Sequence, residues 1–175
     1  MSRWFFSTQS IIAQIWVDAN TGIQLPSSVS IGPGLYIPHS GYIVVNSSAS
    51  IGSHCTIAQG VTIGHAGGGR DKSMKAPTVG DRVYIGPGAC LIGDISIGDD
   101  ALIGPGAIVT KDVPPRSVVV GNPARVISTR GSFDLIDYPG MEDDVMRQCS
   151  LGMRDAHGLE DDDMRLQDLT LAGHR

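Results

Sequence analysis

A repeat of six residues constrains this chain more than any other feature of its sequence. An aliphatic residue returns at every sixth position through most of the stretch 45–113. Another apolar and mostly compact side chain stands four residues later, and glycine or another small residue often follows the aliphatic one directly. The repeat positions are Val45, Ile51, Ile57 and Ile63 and, after an interruption, Val79, Ile85, Leu91, Ile97, Ile103 and Val109.

A period of six residues fits neither an amphipathic helix nor a strand that alternates between two faces. It fits a three-sided prism in which one hexapeptide forms each flat face and three hexapeptides form one coil. The aliphatic residue fills the core, and glycine suits the corners, where the backbone needs unusual dihedral angles. The sequence therefore predicts an all-β chain, folded as a left-handed parallel β-helix that is stabilised by the stacking of its coils.

Departures from the repeat divide the chain into three predicted segments. Residues 1–22 are expected to form a short amphipathic helix that caps the open first coil. Residues 23–127 are expected to form the β-helix, with loop 64–77 extruded because its three consecutive glycines cannot continue a coil. Residues 128–175 form an acidic tail that is predicted to be partly helical or flexible.

Smaller irregularities refine these boundaries. The repeat slips by two residues just before Val45, which predicts a bulge or wide corner close to His39. The segment 118–127 is expected to close the last coil. In the tail, 141–156 and 159–171 are predicted to be short helices.

Charge and cysteine content exclude some classes of function. The net charge is −5, and it belongs to the tail, where five Lys/Arg face eleven Asp/Glu. Residues 1–127 carry eight Lys/Arg against seven Asp/Glu, so no basic surface suggests nucleic acid. Three cysteines show no disulfide framework, and Cys55 falls on an inward position. Without a signal peptide or spanning helix at the N-terminus, we expect a soluble, cytoplasmic protein with no membrane insertion.

Several segments resemble the serine acetyltransferase branch of the hexapeptide-repeat acyltransferases, over roughly residues 5 to 127. The resemblance implies a homotrimer, acetyl-CoA bound in a groove between neighbouring prisms, no metal, and transfer of the acetyl group to a hydroxyl of a small molecule. The segments are PGLYIPH at 33–39, GVTIG at 60–64, KDVPP at 111–115 and GNPAR at 121–125.

The resemblance implies that His39 is the general base. An alcohol is a poor nucleophile at neutral pH, and a neutral imidazole within hydrogen-bond reach can take its proton. His65 and His54 are its competitors. His65 opens the glycine-rich loop, where the family has a glycine whose backbone meets the cofactor, and His54 is expected to face outward from a regular coil.

The resemblance also implies a set of residues that bind the cofactor. The two IGPGA segments at 85–89 and 103–107 lie one coil apart, so they are expected to stack and to line the pantetheine groove. Their prolines have no N–H to donate, so these segments can contact the cofactor through carbonyl groups and through shape. Cations close to the GNPAR segment can meet the phosphates of the nucleotide. The predicted cofactor-binding residues are Gly64, His65, Gly86, Pro87, Pro105, Thr110, Lys111 and Arg125.

Departures from the family pattern bear on the acceptor. The family places an aspartate immediately before the base, where this chain has Pro38, and another where Gln24 stands. An Arg-His pair that helps to hold the amino acid is replaced by Lys75 and Ala76. These departures favour a sugar or glycan hydroxyl as acceptor, with L-serine as the alternative. The tail ends in Ala-Gly-His-Arg, so docking to cysteine synthase is not expected.

Two other classes of protein share this scaffold. A metal enzyme of the γ-carbonic anhydrase type needs three converging histidines, and His39, His54 and His65 lack a compact ligand pattern. A non-catalytic β-helix that assembles partners through its acidic tail is the other alternative.

Overall fold

The structure, a computed structural model, describes residues 15–67 and 75–156. Within these residues it contains fourteen short strands and two helices, α1 (residues 15–21) and α2 (Val145–Ala156), with a 3-10 turn at Met141–Asp143. The strands are β1 (Ile23–Gln24), β2 (Ser30–Ile31), β3 (Ile43–Val45), β4 (Ser50–Ile51), β5 (Thr56–Ile57), β6 (Thr62–Gly64), β7 (Thr78–Val79), β8 (Tyr84–Ile85), β9 (Cys90–Ile92), β10 (Ser96–Ile97), β11 (Leu102–Ile103), β12 (Ile108–Val109), β13 (Val118–Gly121) and β14 (Ala124–Ser128).

The strands form the three faces of a prism. Sheet I has the order β1-β3-β6-β9-β12, sheet II has the order β10-β7-β4-β2, and sheet III has the order β14-β13-β11-β8-β5. The chain visits the sheets in turn and pairs in parallel with itself one coil later, so that Val45 pairs with Ile63 and Leu91 with Val109. The predicted left-handed parallel β-helix is confirmed.

The core is made of the repeat positions. Each of the ten aliphatic residues at the sixth positions is at most 3% exposed. The second inward position is also buried, and Cys55 there is fully buried, as predicted. Burying one such aliphatic side chain contributes about 1.5–3 kcal/mol, so the stacked coils hold the prism together.

The irregularities of the repeat appear where the sequence places them. Ile31 pairs with Ile51, a step of twenty residues, because two extra residues are accommodated before β3. Gly41 (φ 123°) and Tyr42 (φ 50°) take left-handed backbone conformations at this wide corner. Ile63 pairs with Leu91, a step of twenty-eight, so the ten extra residues between these strands do not disturb the register of the coils.

The end of the β-helix differs from the prediction. Strand β13 adds in parallel to β11, but β14 turns back and pairs with β13 in antiparallel orientation. The segment 118–127 therefore forms a hairpin instead of a complete closing coil. The turn at Gly121 (φ 95°) reverses the chain before a further corner can form.

At the other end of the prism, α1 ends at residue 21. The Asn20 and Thr21 side chains donate hydrogen bonds to carbonyls one turn back, and Gly22 (φ 68°) takes the left-handed conformation that ends the helix. Ile15 and Trp16 remain 62% and 64% exposed, so these two side chains are not buried against the first coil. Residues 1–14 lie outside the described part of the chain.

The first part of the tail packs on the corner between sheets II and III. Asp100 lies at this corner, where Arg82 binds its carboxylate at 2.7 Å. Ser150 of α2 donates a hydrogen bond to the same carboxylate at 2.7 Å, and Ser132 donates one to the Arg82 carbonyl at 2.6 Å. The helix predicted over 141–156 is thus present as a 3-10 turn and α2, whereas that over 159–171 lies outside the described residues.

Candidate active site

His39 lies at the corner between sheets III and I, which we call the histidine corner and define as residues 38–42, 59–60, 87–88 and 105–106. Backbone hydrogen bonds stack its rungs: the Gly60 N–H donates to the Gly41 carbonyl at 2.8 Å, and the Gly106 N–H donates to that of Pro87 at 2.8 Å. The His39 side chain is exposed. The structure thus places His39, Pro87 and Pro105 along one edge of the prism.

Gly86, which immediately precedes one rung, is buried, and its glycine is required by coil stacking. A Cβ atom there would stand 2.8 Å from the Ile103 carbonyl oxygen and from the Pro105 nitrogen. The Gly86 N–H donates to the Ile103 carbonyl at 2.8 Å, and the Pro87 carbonyl accepts the hydrogen bond of Gly106. These backbone groups are engaged between coils, so this edge offers a ligand mainly its shape.

A second group of predicted residues lies at the corner between sheets I and II, which we call the loop corner and define as residues 46–49, 64–67, 75–77, 93–95 and 110–112. Gly64 ends β6 and accepts a hydrogen bond from the Gly93 N–H at 2.9 Å. Thr110 and Lys111 follow β12 two coils further on, and both are exposed. The loop corner therefore gathers Gly64, His65, Thr110 and Lys111, while the histidine corner lies on the other side of sheet I.

Arg125 joins the loop corner through the terminal hairpin. A cleft of about 540 Å³ opens between the 109–113 segment and the hairpin, and Thr110, Lys111, Asp112 and Arg125 line it. One Nη atom of Arg125 donates a hydrogen bond to the Ala124 carbonyl at 3.0 Å, which holds the side chain against its own strand. Two cations in one cleft match the phosphates of a nucleotide, since charge-assisted bonds to phosphate are among the strong ones.

His54 lies at the third corner, between sheets II and III. Its ring stacks on that of Tyr138 in the tail, with centroids 3.9 Å apart and planes 13° from parallel. His39, His54 and His65 therefore occupy three different corners of the prism. Over residues 15–67 and 75–156, no three His, Cys, Asp or Glu side chains are placed to hold a metal ion together.

Sequence reasoning did not identify the contacts around His65. The Asn46 Nδ2 atom lies 3.2 Å from the His65 Nδ1 atom, and the two residues are one coil plus one position apart. That spacing was the available signal. Nearby, Lys75 pairs with Asp94 at 2.8 Å, with both side chains 64% exposed. The lysine that replaces the family's Arg-His pair is thus engaged with a carboxylate of its own chain.

Comparisons with known proteins agree with this architecture. The family described as "Bacterial transferase hexapeptide (six repeats)" matches residues 76–111. The serine acetyltransferase of Synechococcus elongatus is 36% identical over 142 residues, which cover 81% of this chain and 57% of that protein. The serine acetyltransferase of Mycobacterium tuberculosis is 44% identical over 119 residues, which cover 65% of this chain and 51% of that protein.

Solved structures give the same result. Soybean serine acetyltransferase complexed with serine matches with a TM-score of 0.63 and 34% identity, over 69% of this chain and 49% of that one. The chain spans about half the length of the relatives it matches. Within the described residues, no helix has the length and apolar character needed to cross a membrane. The repeat, the prism and these matches show a hexapeptide-repeat β-helix that is similar to the serine acetyltransferase branch of the hexapeptide-repeat acyltransferases.

Proposed function

We propose that the protein is an acetyl-CoA-dependent O-acetyltransferase whose acceptor is L-serine. The observation that carries the proposal is the similarity to serine acetyltransferases over 81% of the chain, including 36% identity to the protein of Synechococcus elongatus. The soybean relative was solved with serine bound. These relatives favour the serine alternative over the sugar acceptor that the sequence departures suggested.

His39 is the proposed general base. Its exposed imidazole takes the proton of the acceptor hydroxyl as the oxygen forms its new bond to the acetyl carbon, and it returns that proton to the departing sulfur. Acetyl-CoA supplies the activated acetyl group. Pro38 stands where the family has an aspartate, so the base works without a carboxylate from the preceding residue.

Charge and shape support a coenzyme site. Lys111 and Arg125 in the 540 Å³ cleft suit the phosphates of the nucleotide end. The stacked rungs at Pro87 and Pro105 give a smooth edge along which a pantetheine arm can lie.

A cytoplasmic location stays a prediction.

A homotrimer accounts for the separation of the two corners. Within one chain, the histidine corner and the loop corner flank sheet I on opposite sides. A slot bordered by both corners forms when the histidine corner of one protomer faces the loop corner of its neighbour. Exposed apolar side chains near this sheet support such a contact, with Tyr42 83% and Val44 39% exposed in the single chain.

The test is an acceptor screen with the purified chain, acetyl-CoA and a reading of thiol release. L-serine is expected to give the fastest release, ahead of nucleotide sugars and of a sample without acceptor. His39→Ala is expected to lower kcat by about 10² to 10⁴-fold, the usual range for a lost general base. Asp134→Asn, an exposed polar change in the tail and outside both corners, is the control and is expected to match the wild type.

Three outcomes contradict parts of this proposal. Unchanged turnover in His39→Ala, with the oligomer intact by sedimentation, rejects the assigned base. Faster release with a sugar than with serine restores the sugar reading. A wild-type sample that releases no thiol with any acceptor rejects the enzymatic function.

A further inference from the structure

The backbone and side chain of Asn46 are held by three hydrogen bonds at the loop corner. Its N–H donates to the Ile63 carbonyl at 2.7 Å, and its carbonyl accepts from the Ala49 N–H at 3.0 Å. The side-chain oxygen Oδ1 accepts from the Ser48 N–H at 2.9 Å. Because a backbone N–H can only donate, this last bond fixes which side of the amide is oxygen and which is nitrogen.

The orientation of the amide fixes the tautomer of His65. With Oδ1 committed to Ser48, the atom 3.2 Å from the His65 Nδ1 is the Asn46 amide nitrogen, which is a donor. Nδ1 must then accept this bond through its lone pair. A neutral imidazole carries one proton, so the proton of His65 lies on Nε2. Asn46 therefore presents His65 as a hydrogen-bond donor through the outer atom of its ring.

We propose that the Nε2–H of His65 donates a hydrogen bond to a carbonyl oxygen of the acetyl-pantetheine arm, with Asn46 as the residue that positions it. This inference rests on the proposed function. His65 is exposed and directly follows Gly64, at the start of the glycine-rich loop. It replaces the glycine that the family resemblance places beside the cofactor, so this chain offers a side chain at a position where the family relies on backbone.

Distance along the prism supports this partner. Lys111, which lines the cation cleft, occurs two coils after His65 at the same corner. At about 4.8 Å per coil the two positions stand roughly 10 Å apart, which a pantetheine arm leaving a bound pyrophosphate spans.

The charge state of the donor also selects among partners. A neutral N–H suits a neutral carbonyl oxygen, whereas a carboxylate of an amino-acid acceptor gains more from a charged donor. Lys75, a cation at the same corner, is paired with Asp94 at 2.8 Å. The inference therefore assigns His65 to the coenzyme and not to the carboxylate of the acceptor.

Two substitutions of His65 distinguish the role of Nε2 from that of Nδ1. The amide nitrogen of glutamine reaches the place of Nε2, and that of asparagine reaches the place of Nδ1. We expect His65→Asn to raise the calorimetric Kd for acetyl-CoA by about tenfold, as the loss of one hydrogen bond implies. His65→Gln is expected to stay within about threefold of the wild type. The KM for the acceptor is expected to be unchanged in both variants.

Asn46 is tested through a double-mutant cycle. Asn46→Ala is expected to weaken acetyl-CoA binding several-fold in the wild-type background and to have no further effect when His65→Gln is present, because its role passes through the imidazole. Titration with free CoA identifies the oxygen. An equal loss for CoA and acetyl-CoA assigns a pantetheine amide, and a loss for acetyl-CoA alone assigns the thioester carbonyl.

The inference is overturned if His65→Asn binds both compounds as the wild type does, or if His65→Gln loses as much as His65→Asn. It is overturned too if Asn46→Ala acts equally in both backgrounds. Because the measurement is binding, it separates the two proposals. A wild type that binds acetyl-CoA through His65 but acetylates no acceptor refutes the proposed function and leaves this inference standing.

Discussion

The substitution Asp100→Asn tests how the tail is held to the β-helix. Asp100 is 1% exposed, and its carboxylate accepts hydrogen bonds from Arg82 at 2.7 and 3.2 Å and from Ser150 at 2.7 Å. Its backbone has a φ of 58°, a left-handed conformation that asparagine also tolerates. The change therefore removes the charge while keeping the size of the side chain and the backbone conformation.

The expected loss in the free energy of unfolding follows from the positive charge of Arg82, which stays buried when Asp100 loses its charge. Burial opposes the charge of the Arg82 guanidinium, but its hydrogen bond to Asp100 and the nearby carboxylates outweigh burial, so the pKa of Arg82 is raised. Removing one partner of a buried pair costs about 3–5 kcal/mol. Asp99 at 3.9 Å and Asp144 at 3.8 Å still face the guanidinium, so we expect the lower end, about 3 kcal/mol.

The assay is thermal unfolding followed by circular dichroism at one fixed protomer concentration, since assembly makes the midpoint depend on concentration. A loss of about 3 kcal/mol corresponds to a midpoint lowered by roughly 6–12 °C for a chain of this size. Asp99→Asn is the matched control, because Asp99 is 45% exposed and farther from Arg82, and we expect a loss below about 1 kcal/mol. Equal shifts in the two variants would refute the argument from burial.

Two further predictions concern titratable groups. Burial raises the pKa of Cys55 to about 11, so a thiol reagent at pH 8 is expected to label Cys90 and Cys149 in the native protein, and rapid labelling of Cys55 without denaturant would contradict the structure. Burial and the hydrogen bond to Asp144 raise the pKa of Tyr138 to about 12. The contribution of this tyrosine to the free energy of unfolding is therefore present below pH 10 and is lost as the pH rises through 12. The same hydrogen bond lowers the pKa of Asp144, and the backbone N–H of Arg147 lowers it further. The contribution of Asp144 to the free energy of unfolding is therefore present above pH 3.8 and is lost as the pH falls below that value. Urea unfolding across pH is expected to show both slopes, and Tyr138→Phe is expected to lose the alkaline slope and to weaken the acidic one.

The sequence by itself determined the prism. A six-residue period leaves one arrangement in which every repeat position is buried, because a short flat face exposes the same position of each hexapeptide to the core. The slip before Val45 and the insertion after Gly64 could be predicted for the same reason, since each insertion must leave the register of the following coil intact. Cys55 could be placed in the core from its position in the repeat alone.

Only the tertiary structure decided which side chains meet. Asn46 and His65 are nineteen residues apart, a spacing that brings both to one corner but does not show that their outward side chains meet. The terminal hairpin of β13 and β14 contributes Arg125 to the cleft that Lys111 also lines. The hairpin does not follow the six-residue period, so the period could not predict it. Ser150 reaches the carboxylate of Asp100 across fifty residues, through packing of a tail that has no repeat to fix its position. The six-residue period determines the stacked coils because the same position of every hexapeptide points into the core. Contacts between outward-facing residues follow no such period and depend on which side chains the stacked coils bring together.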